Sequence, residues 1–365
     1  MRITDLERSY VNEVLRNQLR TSYAGTMVRR FEEAFARKIG AKYGVACVNG
    51  TATLHTALAA AGVGPGDEVI VPPLTMASTA MAVVQCGATP VWGDINPKTW
   101  LLSPDKWPLT KRTKAVIPVT IFGLLDSLVR LDCLKDLFVL EDDAECVEPG
   151  MGVFGHAASF SFQSSKHLTA GEGGILLTND EDLANRMRQF SGLGYASLSA
   201  KQGRITKDTI QDPNYARHAM IGYNYRMSDL QAAVLLGQTE RMEELLSVRL
   251  DAARLYSMAI EGCDWLIPQY VPEGHTHTYW CYPILLSEDA PCSWQEFRRR
   301  FIQLGGDPFY AAWRLTYQEP AFGQYKAHCP VAESIQPRLI LLKTNYYDED
   351  PLKQAEALRA TWRSW

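Results

Sequence analysis

The chain has 365 residues, 46% hydrophobic and 21% charged, with a formal net charge of −4. That is enough for one large folded unit plus a smaller one. Acids and bases are mixed throughout, which argues against a nucleic-acid or membrane-surface face, and the apolar runs fall short of the roughly 20 residues a spanning helix needs.

The opening stretch MRITDLERSYVNEVL is too charged for a secretory signal, and the eight cysteines contain no CxxC pair. Reduced thiols in a cytoplasmic protein are therefore expected. Helical apolar spacing covers 4–19 and 26–39. Strands and helices then alternate: strand 43–48, an alanine-rich helix 52–61 after Asn49-Gly50-Thr51, strand 68–71 ended by Pro72-Pro73, helix 75–86, strand 89–95, strand 114–119, helix 127–135, and strand 137–140 running into Glu141-Asp142-Asp143. Strands 157–162 and 175–178 flank a polar loop, a helix follows at 180–190, and 194–220 is polar and irregular. A long helical pattern with a bend or break spans 228–261. Beyond it lie strand 277–286, helix 293–304, a short apolar run 338–342 and helix 351–363. This alternation predicts an α/β protein: a large, mostly parallel sheet covered on both faces over residues 1–247 and a smaller α+β domain over 248–365. Ligands of such sheets bind beyond the carboxyl ends of the strands.

Three features stand at such ends. The first is Lys166, held in a loop between two apolar runs and closed by Gly171, Gly173 and Gly174. A lysine in a partly dry, rigid loop can lose its proton and act as a Schiff-base nucleophile, although most loop lysines are simply solvated. The second is Asn49-Gly50-Thr51, a glycine turn opening a helix. It offers free N–H groups and a dipole end to an anion, or is an ordinary N-cap. The third is Asp142 at the end of an apolar strand, suited to a ligand, with a metal site or a turn cap as the other readings. In Ser159-Phe160-Ser161-Phe162 the serines share one face, so Ser161 can serve a phosphate. One cofactor requires a phosphate site, a strand-end carboxylate and a reactive lysine together: pyridoxal phosphate, whose ring nitrogen is kept protonated by an aspartate. No metal is needed.

VNGTATLHTAL (48–58), DEVIVPPLTMASTAMAVVQCGATPVWGDI (67–95), VLEDDAE (139–145), SFSFQSSKHLTAGEGGILLTND (159–180) and IGYNYRMSDLQAAV (221–234) resemble, in order, the DegT/StrS-type sugar aminotransferases, which are fold-type-I pyridoxal phosphate enzymes. The resemblance implies that Lys166 carries the cofactor and that Asp142 faces its ring nitrogen. It places Gly50, Thr51, Ala52 and Ser161 at the phosphate, and Met76 where the family commonly stacks an aromatic residue on the ring. Asn224 matches an Asn that reaches the phosphate in the neighbouring subunit, which implies a homodimer with shared sites. The segment 305–313 is unlike the usual family turn, and Tyr310, Trp313 and Arg314 are candidate sugar or phosphate contacts. The implied reaction moves an amino group from glutamate or glutamine, through the pyridoxamine phosphate form, to a keto sugar. The family favours a nucleotide-linked 4-keto-6-deoxy sugar as acceptor, in amino-sugar biosynthesis. The alternatives are a pyridoxamine phosphate-dependent sugar dehydratase, in which His replaces the lysine, and a silent carbohydrate-binding or regulatory relative.

Overall fold

The first two helices are amphipathic and set one wall of the core. Helix α1 (Asp5–Arg16) opens on a capping box between Thr4 and Glu7, and α2 (Met27–Ile39) ends at Gly40 in a left-handed conformation. Such caps satisfy helix-end groups that would otherwise lack partners. The structure is a computed structural model describing residues 1–17, 19, 25–125, 136–198, 208, 211–214 and 216–365. The helix expected at 127–135 lies outside the described residues.

Strands β1 (Tyr43–Cys47), β2 (Glu68–Val71), β3 (Thr89–Trp92), β4 (Thr113–Val116), β5 (Phe138–Asp142), β6 (Ala157–Ser161) and β7 (Gly174–Thr178) form one seven-stranded sheet in the order β1-β7-β6-β5-β4-β2-β3. The steps from β3 to β6 are parallel, whereas β7 runs antiparallel to both β6 and β1. Two reversals restore direction, so β1, β5 and β6 deliver their carboxyl ends to the same edge. Helices α3 (Gly50–Ala60) and α4 (Ser78–Gln85) pack together, and α3 also covers β6 and β7. The phenylalanine face of β6 packs on α2: Phe35 meets Phe160 and Phe162 edge-on at 5.2 and 5.3 Å, and Phe31 meets Phe162 at 5.5 Å. Burying each ring contributes about 2–3 kcal/mol. The serine face is thereby turned to the site.

After α5 (Glu181–Ser191), the long helical pattern is two helices, α6 (Asp229–Glu240) and α7 (Met242–Ala259). They break at Arg241, whose guanidinium bonds Glu7 and Glu244 at 2.7 Å each. A second sheet, ordered β10-β11-β9-β8, uses β8 (Leu266–Pro268), β9 (Cys281–Leu286), β10 (Tyr310–Ala311) and β11 (Leu339–Lys343). Several expected boundaries shift: strand 89–95 ends at Trp92, and strand 114–119 runs Thr113–Val116. The strand expected from 277 begins at Cys281, because Tyr279 has φ +48° and Thr278 N–H bonds Gly123 O at 2.8 Å. The helix expected from 75 begins at Ser78, leaving Thr75 and Met76 in the loop at the sheet's edge.

Candidate active site

Asp142, the last residue of β5, is 4% exposed. Thr79 Oγ1 donates to its Oδ2 at 2.8 Å, and Ala144 N–H to its Oδ1 at 3.3 Å. Burial pushes its carboxyl up to about 6, partly offset by these hydrogen bonds and by Lys166 nearby. A buried carboxylate this poorly solvated is suited to meeting a cation. Its neighbour Glu141 instead turns Oε1 to the N–H groups of Phe154 and Gly155, at 2.9 and 2.7 Å. Among the described residues no group of three or more His, Cys, Asp and Glu side chains is gathered as a metal ion would require.

Lys166 leaves the loop after β6 and sends Nζ to 3.1 Å from Glu145 Oε1 and 4.7 Å from the centre of the Trp280 ring. Its side chain is 13% exposed. The other oxygen of Glu145 accepts Phe122 N–H at 2.9 Å. Phe122 has φ +65°, a costly conformation for an aromatic residue, and it aims its N–H into the site. Glu145, Phe122 and Trp280 were not singled out in the sequence. Glu145 lies in the VLEDDAE segment, but only the fold shows that it turns toward Lys166.

The third corner is a cradle. Asn49 caps α3 by accepting Ala52 N–H at 2.8 Å, so Ala52 takes part through the cap. The N–H groups of Gly50 and Thr51 stand at the positive end of α3. Thr51 Oγ1 lies 3.0 Å from Ser78 Oγ. Gly50 lies directly against Ser161: a Cβ on Gly50 would sit 2.9 Å from Ser161 Cβ and 3.2 Å from its Oγ. A Cβ on Gly174 would meet the backbone of Asn49 at 2.6 Å, so glycine there lets β7 approach the cradle. These residues could hold a phosphate, and with Asp142 and Lys166 they fit pyridoxal phosphate: an anion cradle, a buried carboxyl for a ring cation, and a primary amine.

The remaining expected residues are placed less closely. Met76 is 71% exposed at the edge of the site. Trp313 packs its ring on Phe122 at 5.8 Å, which ties it through Phe122 and Glu145 to Lys166. Arg314 is exposed on a segment docked on the loop before Met76, where Thr316 N–H bonds Pro73 O at 3.0 Å. Tyr310 is 77% exposed on β10, with its ring outward. Asn224 is exposed, although its backbone pairs with Gly192 and the adjacent Tyr225 O accepts Val48 N–H at 2.8 Å, one residue before the cradle.

An α/β sheet presenting a lysine, a buried carboxyl and a phosphate cradle at one edge defines a cofactor enzyme. Residues 1–349 match the profile of the DegT/DnrJ/EryC1/StrS aminotransferase family, and the chain belongs to that family of pyridoxal phosphate-dependent sugar transaminases. The GDP-perosamine synthase of Caulobacter vibrioides is 38% identical over 299 residues, 79% of this chain and 76% of that protein. The crystallised aminotransferase from Psychrobacter cryohalolentis matches with a TM-score of 0.86 at 27% identity, over 99% of this chain and 98% of that one. A GDP-4-keto-6-deoxymannose-3-dehydratase shares the fold, with a TM-score of 0.87 at 20% identity over 99% and 98% of the two chains.

Proposed function

We propose that this enzyme transfers an amino group from glutamate or glutamine to a nucleotide-linked 4-keto-6-deoxy sugar, using pyridoxal phosphate, as a homodimer in which Asn224 reaches the partner's site. The observation that carries the reading is Lys166, partly buried and paired with Glu145 at 3.1 Å beside the buried Asp142. When bound, the cofactor supplies an electron sink. Lys166 would hold it and, once released, would carry a proton at the substrate carbon. Glu145 would steady the ammonium form of that lysine. Asp142 would keep a ring nitrogen cationic, and Gly50, Thr51 and Ser161 would bind the phosphate. The relative named as GDP-perosamine synthase supports the acceptor class.

Lys166 also weighs against the dehydratase reading, in which a histidine replaces it. His167, next in sequence, is buried with Nε2 at 2.9 Å from Thr278 O, turned to a backbone carbonyl. The test is the visible absorption of protein reconstituted with pyridoxal phosphate. A band that disappears with glutamate and returns with a 4-keto-6-deoxy nucleotide sugar is expected. A band indifferent to glutamate and glutamine alike would overturn the donor and the transaminase reading together.

A further inference from the structure

The peptide that carries Lys166 is held from outside the cofactor space by distant cations. Arg2 donates through Nη1 to Ser164 O at 2.6 Å and through Nη2 to Lys166 O. Arg249, fully buried on α7, donates through Nη2 to Ser165 O at 2.7 Å and to Lys166 O at 3.0 Å. Its Nη1 holds Trp280 O at 2.5 Å and Thr344 Oγ1 at 3.1 Å. Trp280 in turn donates its indole N–H to Ser165 O at 3.1 Å while its ring faces Lys166 Nζ. Tyr347 donates to the next carbonyl, His167 O, at 3.2 Å and lies under the Arg2 guanidinium at 5.0 Å.

Four successive carbonyls, 164 to 167, are thus each held by a side chain. Burying the Arg249 guanidinium and half-burying that of Arg2, with Nε of each unpartnered, is costly, and burial lowers the pKa of both. A core tie would be made more cheaply by a neutral amide. What a guanidinium adds is a planar fork that spans two carbonyls in fixed geometry.

Resting on the transaminase reading, we propose that Arg249 and Arg2 are positioning residues for the reaction. They fix the direction in which Lys166 leaves the backbone, so that its amine returns to one place after each half-reaction. The lysine side chain has a flexible four-carbon stem, and the anchored peptide is what limits its reach. A displacement of about 1 Å at a reacting group can cost about 100-fold in rate.

The experiment compares Arg249→Met, Arg249→Lys and Arg2→Met with the wild type, all reconstituted with pyridoxal phosphate. The expected kcat loss is about 100-fold for Arg249→Met and about tenfold for Arg2→Met, with KM for the amino donor nearly unchanged. Arg249→Lys recovers only part, because one ammonium cannot hold the loop carbonyls together with Trp280 O and Thr344 Oγ1 as the two arms of the guanidinium do. The pH midpoint of the visible band is expected to move in all three variants.

A second readout needs no cofactor. In the apoprotein, the rate at which an amine-specific acylating reagent labels Lys166, located by peptide mass spectrometry, is expected to rise several-fold in Arg2→Met. If Arg249→Met does not fold, Arg2→Met, altered at the end of the chain, decides. Wild-type kcat, band midpoint and labelling rate in folded Arg2→Met would overturn the proposal. So would a loss of activity that tracks only the loss of folded protein. A wild type without a glutamate-sensitive band would instead count against the transaminase reading, with the labelling rates still deciding whether the arginines place the lysine.

Discussion

Asp142 is a carboxyl group in surroundings that disfavour its charge. Its ordinary value is 3.8, and burial raises it to about 6. Between those values the folded protein holds more protons than the unfolded chain, so stability of the cofactor-free protein falls as pH rises through this window. Above it the full cost, about 3 kcal/mol, remains. Asp142→Asn removes the titration. Thermal unfolding of the two apoproteins at pH 4.5 and 7.5 is expected to show a variant advantage that is much larger at the higher pH, while its affinity for pyridoxal phosphate drops. An advantage of equal size at both values would contradict the burial argument.

Lys166→Ala is expected to abolish turnover but to leave pyridoxamine phosphate binding measurable by calorimetry, because the cradle is built from other residues. Retained turnover would remove the assignment. Gly50→Ala probes the cradle itself. Its Cβ would press on Ser161 at 2.9 Å, so cofactor affinity is expected to fall about tenfold, equivalent to about 1.4 kcal/mol, with the melting temperature lowered by a few degrees.

At the scale of elements, the edge strand β1 sets the cradle, and a buried ion pair anchors that strand. Glu32 on α2 bonds Arg188 on α5 at 2.8 Å and accepts Ala46 N–H at 2.8 Å, while Arg188 donates to Gly44 O at 2.7 Å. Glu32→Ala would leave Arg188 buried without its carboxylate, at a cost of about 3–5 kcal/mol. Urea unfolding is expected to show that loss. The elements of the large sheet were legible because most of its strands are short apolar runs punctuated by Gly, Pro, Asn or Asp. The serine and phenylalanine faces of β6 follow directly from alternation. The candidate site was legible in so far as Lys166, Asp142 and Gly50, read from residue type and strand ends, stand at one edge of the sheet.

What the sequence hides is geometry that no residue type signals. Phe122, Tyr279 and Ala312 all take positive φ without being glycine. Each lies beside a residue of the site region, namely Glu145 through a hydrogen bond, Trp280 and Trp313. Such conformations are imposed by surrounding packing rather than by local preference. Arg2 is hidden for a different reason: 164 residues separate it from the carbonyl it holds. The antiparallel strand β7 was hidden too, since a buried apolar run does not reveal its direction.

At the scale of the whole molecule, the segment 221–225 runs beside the cradle but turns several side chains away from it. Ile221 is 92% exposed and Tyr223 45% exposed, although the backbone is fixed, with Tyr223 N–H bonded to Phe190 O at 2.7 Å. A rigid strip with a nearly naked isoleucine suits a surface that another copy of the chain covers. Asn224 lies on the same strip, next to Tyr225, whose carbonyl accepts Val48 N–H at 2.8 Å beside the cradle, yet it is exposed. In the proposed homodimer, Asn224 would serve the partner's site rather than its own. In the proposed dimer Ile221→Asp would bury a charge, so sedimentation is expected to show dimer for the wild type and monomer for the variant, with cofactor retention falling as dimer is lost. Asn224→Ala should separate the two effects: the dimer persists, and affinity for pyridoxal phosphate falls about tenfold, about the worth of one charge-assisted hydrogen bond. Full turnover by a monomeric Ile221→Asp protein would mean that each chain completes its own site, and Asn224 would then be only the turn residue that its position before α6 also allows.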